Sequence, residues 1–205
     1  MEKNKYPGKF IVFEGLDGSG KSTQANMLVD FIQQTLGQKA HYTSEPTPNI
    51  IGGLIRSQLA GDWKTSNECL QLLFSADRLY HLEKEIRPML EQGISVVCDR
   101  YFFSTIAYGA NSSEDAQWLL TLNEKVLLPD SVFLLRISPQ EGVARIHGNR
   151  HGIRLFEKEE ILKRVAGNYD TVIQQFPDIT HVVNGEQSKE QVANEIQERI
   201  RQIYE

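Results

Sequence analysis

An apolar run, Phe10 to Phe13, leads almost directly into Gly15-Leu16-Asp17-Gly18-Ser19-Gly20-Lys21-Ser22, which opens a segment of helical period. The string fits G-x-x-x-x-G-K-[ST], and a position between strand and helix is the context that this motif requires. Glycines let the backbone curl so that successive N–H groups point at phosphate oxygens, and the helix N-terminus adds positive potential at the same spot. Lys21 then reaches the β and γ phosphates of ATP, while Ser22 offers its hydroxyl to a Mg²⁺ that bridges phosphate oxygens. A dinucleotide fingerprint would need G-x-G-x-x-G, which Gly18-Ser19-Gly20-Lys21 does not meet, so NAD is not expected.

The rest of the chain repeats this strand-then-helix logic. Short apolar runs at Phe10 to Phe13, His41 to Thr43, Ser95 to Cys98, Ser131 to Ile137 and His181 to Val183 alternate with longer helical segments. Most of the runs lack polar alternation, as strands buried on both faces do, and the order predicts an α/β fold with a parallel sheet. Ala25, Leu28, Val29, Ile32 and Leu36 fall at helical spacing, with Gly37 as a stop. Ser138-Pro139-Gln140-Glu141 and Ser188 with Gln191 read as capped helix starts, the second before a stripe of Val192, Ala193, Ile196, Ile200 and Ile203.

At 205 residues the chain suits one domain, 1–205. A net charge of -5 provides no general field for nucleic acid or an anionic membrane, so an anionic ligand needs a local constellation. No apolar run approaches a membrane span and the polar start lacks a secretory core, which predicts a cytoplasmic location. Cys69 and Cys98 lack the spacing of a zinc or redox site and are expected as buried thiols.

A phosphate loop alone does not name the acceptor. A GTPase would carry N-K-x-D, whereas Asn123-Glu124-Lys125-Val126 does not fit. Val96-Val97-Cys98-Asp99-Arg100-Tyr101 instead puts an acid and an arginine at the C-terminal edge of a buried strand, where ligands bind. Asp99 can hold Mg²⁺ directly or through water, and Arg100 can grip an acceptor phosphate with its planar fork; the plainer alternative is a strand-end salt bridge.

From Phe10 to about Tyr169 the chain resembles thymidylate kinase, a P-loop kinase that moves the γ-phosphate of ATP onto dTMP. The matching strings are Phe13-Glu14-Gly15 through Thr23-Gln24, Glu45-Pro46, Leu73-Phe74-Ser75-Ala76-Asp77-Arg78, Asp99-Arg100-Tyr101 with Ser104 and Ala107-Tyr108, and Arg154-Leu155-Phe156-Glu157. The resemblance implies a P-loop NTPase fold with a five-stranded parallel sheet, helices on both faces, a short lid at about 145–157, and a homodimer. It places Gly15, Leu16, Asp17, Gly18, Ser19, Gly20, Lys21, Ser22 and Thr23 around ATP, with Arg145 against adenine.

For dTMP the resemblance implies that Phe74 stacks on thymine and Arg78 donates to O4, that Arg56 and Arg100 hold the acceptor phosphate, and that Asp17 approaches the sugar 3′-hydroxyl. Tyr108 would lie beneath the sugar. Ser104 and Thr105 could bond base or backbone, helix capping being as natural for Ser104. Where some members carry a catalytic arginine after the P-loop acid, this chain has Gly18, so the lid must supply the cation from Arg150 or Arg154, as in bacterial-type members. Two departures stand out: Gly109 follows Tyr108 where many members have a glutamine, and Ser44-Glu45-Pro46-Thr47-Pro48 replaces an Arg-Glu-Pro-Gly-Gly string. The nearest rival, a deoxynucleoside kinase, would need Glu14 or Asp99 as a base beside a neutral 5′-hydroxyl.

Overall fold

The computed structural model describes residues 1–149 and 159–204. In chain order these form β1 (Glu2–Lys3), β2 (Phe10–Gly15), α1 (Lys21–Gln34), β3 (Ala40–Ser44), α2 (Ile50–Ala60), α3 (Asn67–His81), a π-helical turn over Leu82–Ile86, α4 (Arg87–Glu91), β4 (Ser95–Asp99), α5 (Phe102–Gly109), α6 (Ser113–Leu122), β5 (Leu127–Leu128), β6 (Ser131–Arg136), α7 (Pro139–Asn149), α8 (Glu159–Ile173), β7 (Thr180–Asn184) and α9 (Lys189–Tyr204). The main sheet has the order β3-β4-β2-β6-β7 and every pairing in it is parallel. All five expected strands are present, each within two residues of its apolar run. The pair β1-β5 was not foreseen, since two residues carry no readable period.

Because β2 is central, all six of its residues are buried, and its pleat sends alternate side chains to two separate cores. Phe10 and Val12 join Tyr101, Phe102 and Phe103 beneath α5 and α8. Ile11 and Phe13 meet Leu28 and Ile32 of α1 and Ile196 and Ile200 of α9. Helices therefore cover both faces, and the C-terminal edge of the sheet is a place where chain segments part to admit a ligand. The architecture is the P-loop NTPase fold.

Local signals held, with two exceptions. The Ser188–Gln191 box closes reciprocally, at 3.2 Å from Gln191 N to Ser188 Oγ and 3.1 Å from Ser188 N to Gln191 Oε1. At α7, Ser138 caps Glu141 N at 3.3 Å, but the acid that accepts from Ser138 N is the distant Glu186, at 2.7 Å. Glu141 turns instead to Arg145. Cys98 is buried, whereas Cys69 is exposed because it sits on the outer face of α3. Among the described residues no helix is long and apolar enough to cross a membrane.

Candidate functional site

A cavity of about 810 Å³ opens at the C-terminal edge of the sheet. One end is built from main chain. Gly15 has φ 143, and a Cβ there would lie 2.6 Å from Leu135 O, so only glycine lets the loop leave β2 so close to β6. Gly20, in left-handed conformation at φ 92, is the N-cap of α1 and offers no side-chain cap, nor is there an acid in the first turn. The first N–H groups of α1 are thus kept for an anion. Asp17, Gly18, Gly20, Lys21 and Thr23 line the cavity, while Gly15, Leu16 and Ser19 shape the turn behind it.

Lys21 is buried and donates to Leu16 O at 2.8 Å. Burial, then repulsion from Arg100, lowers its pKa to about 8. Beside it the Ser22 hydroxyl donates to Asp99 Oδ2. The other carboxylate oxygen of Asp99, Oδ1, is buried with no hydrogen-bond partner among the described residues. A hydroxyl and a carboxylate with an unsatisfied oxygen are hard ligands of the kind Mg²⁺ takes, so the two residues expected to hold the ion fit it.

Arg100 faces this end from the opposite wall. Its backbone is left-handed, φ 73, a conformation that costs a non-glycine residue roughly 1–3 kcal/mol and persists only where the surroundings impose it. Its N–H donates to Phe13 O at 2.9 Å. The guanidinium donates to Asp17 Oδ1 at 2.6 Å, Ser104 Oγ at 2.9 Å and the Tyr108 hydroxyl at 3.2 Å, and lies 4.9 Å from the Tyr108 ring centre. Asp17 thus holds the arginine fork, which explains an acid inside an anion-binding loop.

Behind Arg100, Glu14 is fully buried between β2 and α5. Its carboxylate accepts from Tyr101 N at 2.8 Å, Ser104 N at 3.2 Å, Ser104 Oγ at 2.5 Å and the Tyr169 hydroxyl at 2.8 Å. Burial pushes its pKa up, against the pull of Arg100 and these donors. Glu14 therefore caps α5 from another strand, a role that spacing in the sequence does not reveal. The same network buries Tyr169, which is 2 % exposed and turns its hydroxyl inward. Ser104 reaches the cavity but spends its hydroxyl on Glu14 and Arg100.

The far end of the cavity is walled by α3, where Phe74 is half-buried and Arg78 is 1 % exposed. Arg78 donates to Glu45 Oε2 at 2.9 Å, Asn123 Oδ1 at 2.7 Å and Thr105 Oγ1 at 3.0 Å. Glu45 also meets His81 Nδ1 at 3.2 Å. Burial acts to lower the His81 pKa, but hydrogen bonds to Glu45 and Glu85 outweigh it and hold it at about 9. Glu45, His81 and Cys98 lie close enough to suggest a metal site, yet Arg78 already supplies the counter-charge there. Asp77 anchors the same loop two residues on, accepting from Thr47 N at 2.8 Å and Thr47 Oγ1 at 2.6 Å. The segment after β3, with a cis Glu45–Pro46 bond, is thus stapled to α3. Arg56, an exposed residue of α2, lines the cavity and donates to Thr47 O and Pro46 O.

Arg145 lies beside the P-loop, with Nε 2.6 Å from Glu141 Oε1 and Nη1 3.0 Å from Gly185 O. The remaining lid candidates, Arg150 and Arg154, lie outside the described residues. One cavity therefore joins a main-chain anion cradle, an oxygen pair for a cation and a second, arginine-led pocket.

The sequence model of the family described as thymidylate kinase matches residues 13–196. The chain belongs to the thymidylate kinase family. It is 38% identical over 197 residues to a probable thymidylate kinase of Thermococcus gammatolerans, covering 92% of this chain and 94% of that protein. It is 37% identical over 187 residues to a probable thymidylate kinase of Methanocaldococcus jannaschii, covering 91% and 93%. The thymidylate kinase of Plasmodium falciparum is 37% identical over 170 residues, covering 82% of this chain and 79% of that protein. Family membership makes this a nucleoside monophosphate kinase of the P-loop class. Side chains that the sequence did not assign to the site are Tyr42 and Gln71, which line the cavity, and Asn123, which holds Arg78. Gln71 left a signal, three residues before Phe74 on the same helix face.

Proposed function

We propose that this chain transfers the γ-phosphoryl group of ATP to dTMP, releasing ADP and dTDP, within one kinase domain spanning 1–205. The observation that carries the reading is the contact of Asp17 with Arg100: the loop for the donor and the arginine for the acceptor share one cavity and touch at 2.6 Å. Two phosphates bound there meet end to end, the geometry that phosphoryl transfer needs.

In this reading the P-loop N–H groups and Lys21 hold the β and γ phosphates, Lys21 exchanging Leu16 O for the nucleotide. Ser22 and Asp99 hold Mg²⁺, which when bound neutralises charge on the phosphate oxygens. Arg145 lies against adenine. Arg100 and Arg56 grip the acceptor phosphate, already ionised and so in need of no general base. Asp17 orients Arg100 and approaches the sugar hydroxyl, Tyr108 lies under the sugar with Ser104 and Thr105 nearby, Phe74 stacks on the base and Arg78 donates to O4. A lid at about 145–157 closes Arg150 or Arg154 over the transferring group and excludes water.

The deoxynucleoside kinase alternative needs a carboxylate beside a neutral hydroxyl. Glu14 is wholly buried and accepts from Tyr101 N, Ser104 N, Ser104 Oγ and the Tyr169 hydroxyl, so it is not that base. The cytoplasm, where ATP and dTMP are available, is the setting proposed. The homodimer that the resemblance implies finds support in α3, which turns Cys69, Leu72, Ala76 and Leu79 outward at i, i+3, i+7 and i+10; Leu72 and Leu79 are 49 % and 42 % exposed. Such a stripe suits a twofold contact with its own copy.

ADP release measured with dTMP, dUMP, UMP, dCMP and thymidine tests the activity. Fastest turnover with dTMP and none with thymidine is expected; phosphorylation of thymidine, or ATP hydrolysis indifferent to dTMP, would overturn it.

A further inference from the structure

Three side chains of α3 face the acceptor end of the cavity, Gln71, Phe74 and Arg78, at i, i+3 and i+7. Gln71 is 1 % exposed. Its Nε2 donates to Asn67 Oδ1 at 3.1 Å, and Asn67 Nδ2 donates to Gly109 O at 2.8 Å. Both amide orientations follow from this relay. The carbonyl of Gly109 only accepts, so Asn67 must turn its NH₂ there and its oxygen to Gln71, which must answer with Nε2. What remains is Gln71 Oε1, a buried acceptor with no partner among the described residues.

Gly109 is what makes room for this amide. A Cβ at position 109 would stand 2.7 Å from Gln71 Cδ and 2.9 Å from Oε1. Any larger residue after Tyr108 would therefore drive the Gln71 amide from the wall. Oε1 is closed off from solvent, and the broad χ3 torsion of glutamine lets the amide turn toward a base entering between Phe74 and Arg78.

We propose that Gln71 accepts the N3–H of the acceptor's pyrimidine base and, with Arg78, reads its edge at two points. The proposal rests on the dTMP kinase reading above. A 4-oxopyrimidine presents an acceptor at O4 beside a donor at N3. Arg78 has only donors to offer and Gln71 Oε1 only an acceptor, so the two patterns match. Cytosine presents the reverse, an amino donor facing Arg78 and a bare N3 facing Oε1, and both contacts fail together. Since neither residue addresses C5, the pair serves dTMP and dUMP alike.

The test measures the preference for dTMP over dCMP in the unaltered protein and in Gln71→Met, which keeps side-chain length. In Gln71→Met the dTMP KM should rise about tenfold, the scale of one lost hydrogen bond, the preference for dTMP over dCMP in kcat/KM should shrink about tenfold, and the ATP KM should stay within about twofold. A preference for dTMP over dCMP that is unchanged in Gln71→Met overturns the role of Gln71 while leaving the kinase reading intact. Failure of the unaltered protein to turn over dTMP overturns both. Should Gln71→Met not fold, Gln71→Asn carries the same readout, because its shortened amide cannot reach the base.

Discussion

The two ends of the cavity are made in opposite ways. The donor end is nearly all backbone, a contiguous stretch from Gly15 to Thr23 whose N–H groups need only the turn and helix start that its own residues dictate. The acceptor end is nearly all side chain, assembled from the P-loop, the segment after β3, α2, α3 and the β4–α5 junction, and Arg78 and Arg100 are held by partners far off in the chain. A cradle of amides recognises any triphosphate. A cradle of oriented side chains can recognise one base, but it depends on tertiary contacts that each cost stability when removed.

The sharpest way to break this contrast is at the cations proposed for catalysis, which should matter for rate and little for folding. Replacing both lid arginines, Arg150→Ala with Arg154→Ala, should lower kcat by about 10³-fold with a smaller change in either KM, as measured by steady-state kinetics. Lys21→Met should lower kcat by about 10²–10³-fold while the melting temperature holds or rises, since a buried, destabilised ammonium is removed. Unchanged turnover in either case would remove the donor-end reading.

The acceptor end should respond in stability as well. Arg78→Ala leaves buried Glu45 with His81 in place of two cationic partners, the Arg78 and Glu45 side chains being 1% and 3% exposed, and should cost about 3 kcal/mol in denaturant unfolding. In whatever fraction stays folded, the KM for dTMP should rise far more than that for ATP. A stable variant with an unaltered dTMP KM would show that Arg78 neither braces nor reads.

His81 sharpens the same point through pH. Its folded pKa of about 9 lies above the ordinary value of 6.5, so its contribution is fully present below pH 6.5 and is lost as pH rises through 9. Unfolding free energy measured from pH 6 to 10 should fall by on the order of 3 kcal/mol from this group, and His81→Asn should flatten that slope. The smallest effect is expected at the donor end. Lys21, at about 8 when ATP is absent, should gain proton when phosphates approach, so ATP binding near pH 8.5 should take up a fraction of a proton in calorimetry across buffers.

The sheet and the phosphate loop were legible because their signals are local. Phe10 to Phe13 is apolar without alternation, and a strand buried on both faces must be so; Gly15 and Gly20 stand where the backbone needs positive φ. Ser188 and Gln191 named the start of α9 for the same reason, whereas Glu141 misled because the acid that completes the cap, Glu186, lies 48 residues on. Arg100 was singled out by its place at the end of a buried strand, and Phe74 and Arg78 through the resemblance of the strings around them, yet nothing in those strings told that Arg78 would be wrapped by Glu45, Asn123 and Thr105. No local signal marked where the Tyr169 hydroxyl would point, and packing turned it toward Glu14, 155 residues away.

What the sequence determined alone is the anion cradle and the order of strands and helices, since hydrogen bonding within a turn and the burial pattern of a strand depend on neighbours a few residues apart. What only the tertiary structure decided is which way the acceptor side chains point. Asp17 toward Arg100, Glu14 toward α5 and Gln71 into the space left by Gly109 are settled by contacts across the chain, where the position of each polar atom depends on partners that the local sequence does not contain.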